Sequence, residues 1–226
     1  MQSENLSMQD FIITNANETH LHYAQDIVDE MESSAKVRGT GIAKRTPEYV
    51  CEKIREGKAV IAYTKDGAWA GFCYIESWQE GAYVANSGLI IAPRFRKRGL
   101  AKKIKEKIFA LSRERFPNSK IFGLTTGLAV MKINSDLGYE PVTYSELTTD
   151  EQFWAGCKSC VNFAILQSKE QKNCLCTAML FDPADEKHLL EEAKTNNQKQ
   201  GEKRYHVLDQ LSRMKRSLFL FSKTSK

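Results

Sequence analysis

Apolar positions along the chain fall into two spacings, and these predict the elements before any chemistry enters. Residues 11–14 (Phe-Ile-Ile-Thr) form a short apolar run of strand length. Leu21, Ala24, Ile27, Val28 and Met31 then recur at helical spacing, with Thr19 placed to cap that helix. Residues 34–45 are small and polar, contain Gly39 and Gly41, and predict a link. Pro47 opens a second helix in the first turn, where a missing N–H does no harm, and Val50 with Ile54 carries its apolar stripe. Residues 59–63 and 68–75 predict two strands joined by Lys65-Asp66-Gly67, a hairpin turn. A third strand, 83–91, stops short of Pro93. Leu100, Ile104, Ile108 and Leu111 mark a helix, 120–124 a strand, and 129–137 a helix closed by Gly138. Strands at 139–143 and 175–181 complete the series.

The most informative chemistry lies between the third strand and the helix after it, in Arg96-Lys97-Arg98-Gly99-Leu100-Ala101. A helix that begins there exposes unpaired N–H groups and the positive end of its dipole to one point. Gly99 and Ala101 let phosphate oxygens approach the backbone, so the segment reads as a cradle for a phosphate-bearing ligand. An unliganded basic helix start or a nucleic-acid patch would use the same residue types.

Taken whole, Ile91-x-Pro93-x-x-Arg96-x-x-Gly99-x-Ala101 resembles the acyl-CoA signature of the GNAT N-acetyltransferase superfamily, V-x-P-x-x-[RQ]-x-x-G-x-[GA]. The element order over 11–143 fits it, as do Gly71 before Phe72 and Leu137-Gly138-Tyr139 in place of the usual L-G-F. The resemblance implies an α/β (α+β) fold: a central mixed, mostly antiparallel sheet with helices on both faces, here followed by a C-terminal helical extension. It implies an acyl-CoA-dependent N-acyltransferase that moves acetyl from acetyl-CoA to a primary amine of a small metabolite, an amino acid among them. A protein N-acetyltransferase, a non-catalytic acyl-CoA sensor and a zinc-stabilised interaction module are the alternatives.

The resemblance also implies sites. Backbone groups near Ile90 and Ile91 would pair with the pantetheine arm. The N–H groups of Lys97, Arg98, Gly99, Leu100, Ala101 and Lys102, with Arg96 of the signature, would hold the pyrophosphate. The family often places a tyrosine four residues before the glycine of L-G-F as proton donor to the thiol; that position is Asn134, and the family's preceding asparagine falls at Gly127. For the acceptor's proton, Glu76 is the nearest acidic candidate, with Tyr83 as its polar partner. Glu76 as a solvated strand end, with water relayed through Asn86 or Ser87, is the competing account.

Cys157, Cys160, Cys174 and Cys176 follow as C-x2-C-x13-C-x-C. Three readings stand: a structural zinc held by four thiolates, small apolar core fillers, or a Cys157–Cys160 redox pair.

Composition changes this picture little. The formal net charge is +5, but residues from 184 onward carry ten Lys and Arg against six Asp and Glu. The body is nearly neutral, which argues against a nucleic-acid partner. No apolar run reaches the ~20 residues of a membrane span, and residues 1–9 lack the apolar core of a signal peptide. A cytoplasmic protein with reduced cysteines is expected. The expected organisation is an N-acyltransferase domain over 1–183, its cysteine-containing part at 144–183, and a basic helical extension over 184–226. Tail helices are expected at 184–197 and 207–218; they would pack on the body or on a second subunit of a homodimer.

Overall fold

The computed structural model describes residues 7–38 and 44–185. The chain divides into two compact units, Met1–Asp182 and Pro183–Lys226. Of the second unit only residues 183–185 are described, so the expected tail helices fall almost wholly outside.

Seven strands form one sheet: β1 (Phe11–Asn15), β2 (Ala59–Thr64), β3 (Trp69–Trp78), β4 (Tyr83–Ile91), β5 (Lys120–Thr125), β6 (Glu140–Val142) and β7 (Thr177–Phe181). Their order is β1-β2-β3-β4-β5-β7-β6, and every pairing is antiparallel except β4 with β5. The last strand is therefore no appendage to the sheet. It inserts between β5 and β6, and Cys174 and Cys176 precede it rather than lying in it.

The longer helices are α1 (Ala24–Arg38), α2 (Pro47–Arg55), α3 (Leu100–Arg115) and α4 (Leu128–Asp136). Two sequence expectations need correction near α1. Asn17, not Thr19, supplies the cap, its side chain accepting from the Thr19 N–H at 3.1 Å and opening a 3-10 turn that runs into α1. The expected link from residue 34 is helical as far as Arg38, because Ser34 to Arg38 contains no helix breaker. Thr46 caps α2 ahead of Pro47, and Gly138, at φ +84°, closes α4 as expected.

Side chains alternate across the sheet, so the two faces carry different cores. On one face α3 presents Leu100, Ile104 and Ile108, all buried, and Gly71 makes room there for Ile104 and Ile91. On the other face, beside β5 and β7, a second core gathers Phe122, Tyr144, Leu147, Trp154, Leu166 and Leu180. Short helices α5 (Glu151–Ala155) and α6 (Phe163–Ser168) form its outer wall. No helix among the described residues is long and apolar enough to cross a membrane.

Candidate functional site

The site is made by a strand that leaves its neighbour. β4 and β5 pair only over Tyr83–Ala85 with Lys120–Phe122. Past that point the strands diverge and the β5-facing edge of β4 is uncovered. A bulge contributes: the β3–β4 register shifts between Phe72 and Tyr74, placing one extra residue on β4. Gly88, at φ +65°, occupies that stretch. A cavity of about 890 Å³ runs through the gap, walled by Asn86, Ser87, Gly88 and Leu89 of β4 and by Gly123, Leu124 and Thr125 of β5.

At one end of the cavity a polar cluster surrounds Glu76. Arg45 Nη2 lies 3.3 Å from Glu76 Oε1, and the Tyr49 hydroxyl donates to the same oxygen. Arg45 Nε donates to the Tyr74 hydroxyl at 2.8 Å, and its guanidinium sits 5.0 Å from the centre of the Tyr49 ring. Burial and the neighbouring Glu76 charge hold the Tyr49 and Tyr74 hydroxyls well above the usual phenol range, so both stay protonated donors. Glu76 is thus no solvated strand end. Its side chain is 15% exposed, and both of these contacts end on Oε1.

Tyr83, the expected partner, is not brought to this place. It stands in the paired part of β4, opposite Trp78 and Lys120, edge-on to Phe122, and it does not line the cavity. The ladder that holds β4 against β5 keeps it there. Arg45 and Tyr49 take the role expected of it. Sequence reading missed them because the pairings span 31 and 27 residues.

The loop expected to hold phosphate, residues 96–102, sits beyond the C-terminal end of β4. Gly99 is the N-cap of α3 at φ +84°, and among the described residues only Met8 Sδ, at 4.0 Å, approaches the space a β-carbon would take. The first turn of α3 leaves the N–H groups of Gly99, Leu100 and Ala101 without intrahelical acceptors. The Lys102 N–H is different: it already donates to Gly99 O at 3.1 Å. Arg96 does not point into the cradle. Its Nη2 bonds Glu30 Oε1 and Ser34 Oγ of α1, each at 2.7 Å, and its Nε bonds Ile91 O at 3.1 Å. It clasps the loop to α1. The Lys102 ammonium pairs with Asp136 at 2.9 Å, while Ile90 and Ile91 remain in register with β3.

The four late cysteines line the same cavity, with Tyr144, Phe153, Trp154 and Phe163. The Tyr144 hydroxyl lies 2.9 Å from Cys174 Sγ and donates to Cys176 O. Burial pushes the Cys157 thiol up to about 11 and the Cys176 thiol up to about 12. Among the described residues no three His, Cys, Asp or Glu side chains are arranged to hold a metal, so the structure does not assemble the expected zinc site.

No protein-family model and no curated protein matches this sequence. Solved structures do match. N-acetylglutamate synthase from Neisseria gonorrhoeae, complexed with coenzyme A and N-acetyl-glutamate, gives a TM-score of 0.54 at 15% identity over 76% of this chain. A Mycobacterium tuberculosis protein solved with CoA gives 0.54 at 14% identity over 76% of this chain and 98% of its own. A GNAT-family acetyltransferase from Staphylococcus aureus gives 0.50 at 13% identity over 62% of this chain and 90% of its own. This chain has the GNAT fold. It spans only 35% of the gonococcal synthase. Within the GNAT fold of this chain, the gap between β4 and β5 and the glycine-capped helix start follow one another along a single strand.

Proposed function

We propose that the protein transfers an acyl group, most simply acetyl from acetyl-CoA, to a primary amine of a small molecule. The observation that carries this reading is the cavity through the β4–β5 gap, in line with the Gly99 helix start. The pyrophosphate would rest on the N–H groups that open α3, and the pantetheine arm would pair along the uncovered edge of β4 as an added strand. The acceptor would enter from the side of Arg45 and Glu76, its apolar part against Phe153, Trp154 and Phe163. An amino acid is a reasonable acceptor, since the gonococcal synthase of the same fold was solved with N-acetyl-glutamate.

The amine attacks the thioester carbonyl directly, with both reactants held in one cavity. Such positioning is worth up to ~7–11 kcal/mol in favourable cases. Glu76 takes the ammonium proton on Oε2, with Arg45 and Tyr49 fixing Oε1 so that the free oxygen faces the amine. The test is thiol release from acetyl-CoA across a panel of amines, amino acids included. Release with one class of amine supports the reading and names the acceptor. CoA binding without release from any amine would make the chain an acyl-CoA sensor instead.

A further inference from the structure

The reaction produces a thiolate, and the residue that would serve as its acid in the resembled family is Asn134, an amide without a proton to give. Asn134 is 1% exposed, its Nδ2 reaches Met179 Sδ at 3.7 Å, and its Oδ1 has no partner among the described residues. A lone buried acceptor on a cavity wall marks where a ligand N–H or S–H belongs.

The same wall holds one ionisable group. Of the residues that α3 and α4 place on the cavity (Lys105, Val130 and Asn134), only Lys105 can carry a proton. Lys105 is 2% exposed, which is unusual for a lysine without a carboxylate. No carboxylate pairs with it among the described residues. Its Nζ lies 3.4 Å from Asn86 Oδ1 and 5.1 Å from the centre of the Tyr139 ring. Asn86 is held in turn, donating to Ser112 Oγ at 2.7 Å and accepting from the Tyr139 hydroxyl at 3.0 Å. The amine is anchored at the point where β4 leaves β5.

We propose that Lys105 is the catalytic acid of this site, donating its proton to the CoA sulfur as the thioester breaks. The proposal rests on the acyl-transfer reading above. The acceptor nitrogen forms a C–N bond to the carbonyl carbon, the C–S bond breaks, and its electron pair leaves on sulfur. A Lys105 N–H bond breaks and an S–H bond forms. The acceptor ammonium loses two protons, one to Glu76 before attack and one to solvent as the amide forms. Glu76 passes its proton to solvent and the neutral lysine regains one, so one proton is released per turnover.

The surroundings suit that exchange. Burial lowers Lys105 to about 8, close to an ordinary thiol, so transfer in either direction is nearly level. The groups facing it are neutral: Cys73 of β3, pushed up to about 11 by burial, the Tyr139 hydroxyl, held well above the phenol range, and the amide of Asn86. An ammonium with no counterion is the form that an adjacent thiolate would stabilise most.

The experiment compares wild type with Lys105→Met and Lys105→Arg. CoA affinity by calorimetry should agree within ~3-fold for all three. With an amine that supports turnover, kcat should fall ~10²–10⁴-fold in Lys105→Met, and nearly as far in Lys105→Arg, which holds its proton too tightly to give it up. The wild-type kcat should fall as pH rises through the Lys105 range, and Lys105→Met should lack that alkaline limb. Without any acceptor, the ultraviolet absorbance of bound CoA should report thiolate at lower pH in wild type than in Lys105→Met. A Lys105→Met variant within ~3-fold of wild-type kcat, or a bound thiol that titrates alike in both, overturns the proposal alone. Wild type that binds no CoA overturns the functional reading and this proposal together. Should Lys105→Met not fold, Lys105→Arg and the wild-type alkaline limb decide the matter.

Discussion

A β-carbon on Gly88 would collide with Cε1 of Tyr74. That closeness fixes the strand bulge, because the ring of Tyr74 occupies the room a side chain would need. Tyr74 is itself pinned by Arg45 Nε, so the bulge and the Glu76 cluster are one mechanical unit. Gly88→Ala should therefore destabilise the fold by about 2–4 kcal/mol, from a left-handed backbone without glycine plus the clash. Urea denaturation measures it, and a change under about 0.5 kcal/mol would show that the ring moves aside.

Gly99 offers the opposite case. Its surroundings are open, so a side chain there meets ligand rather than protein. Gly99→Val should lose CoA binding by more than ~100-fold while costing about 1–2 kcal/mol of stability, the latter from its positive φ. Calorimetric titration showing unchanged CoA affinity would remove the loop from the site.

The Arg96 clasp predicts a shared effect. Arg96→Ala should weaken CoA less than ~10-fold, and Glu30→Gln should do much the same. The two changes together should be no worse than Arg96→Ala alone, because Glu30→Gln breaks only a contact that Arg96→Ala has already removed. Additive losses in that cycle would place Arg96 on the phosphate after all.

Glu76→Gln should lower turnover ~10²–10⁴-fold with little change in CoA affinity. Tyr49→Phe, which takes one donor from Oε1, should lower turnover less than Glu76→Gln does. A loss below ~3-fold in Glu76→Gln leaves a water relay as the better account.

Lys105 carries a stability prediction of its own. Its folded-state value is lowered to about 8 from an ordinary 10.5, so between those values the unfolded chain binds the extra proton. Stability should then rise with pH across that window, and the cost of burying the charge should be fully present below it. Lys105→Met should melt higher than wild type at pH 7, the difference shrinking as the pH passes about 10. A variant that melts lower at pH 7 would mean the ammonium is well solvated in the fold.

Much of the fold was legible because its signals are local. The stripe Leu100, Ile104, Ile108 and Leu111 is one helix face, and Lys65-Asp66-Gly67 is a turn whatever surrounds it. The glycine-capped start of α3 was legible for the same reason, since a helix start needs only its own residues. The Glu76 cluster was not, because Arg45 and Tyr49 reach it only after α2 has docked beside β3. Nor was Arg96, whose signature position says nothing about the carboxylate on α1 that captures it. Lys105 left a faint trace: it stands seven residues before Ser112 on one flank of α3, and both turn toward Asn86. The cysteine spacing fitted three readings alike; among the described residues the four thiols line the cavity, and no group of three is arranged to hold a metal.

The insertion of β7 between β5 and β6 has a consequence for synthesis. β6 has no other neighbour in the sheet, and the outer edge of β5 is bare until β7 arrives. A nascent chain that has reached residue 170 holds every residue of the CoA loop and of the β4–β5 gap, yet it carries an exposed strand edge. Such an edge can recruit another chain. Ribosome pausing before Thr177 should therefore favour aggregation over a folded intermediate, and the last five residues of the sheet act as the closing step of folding.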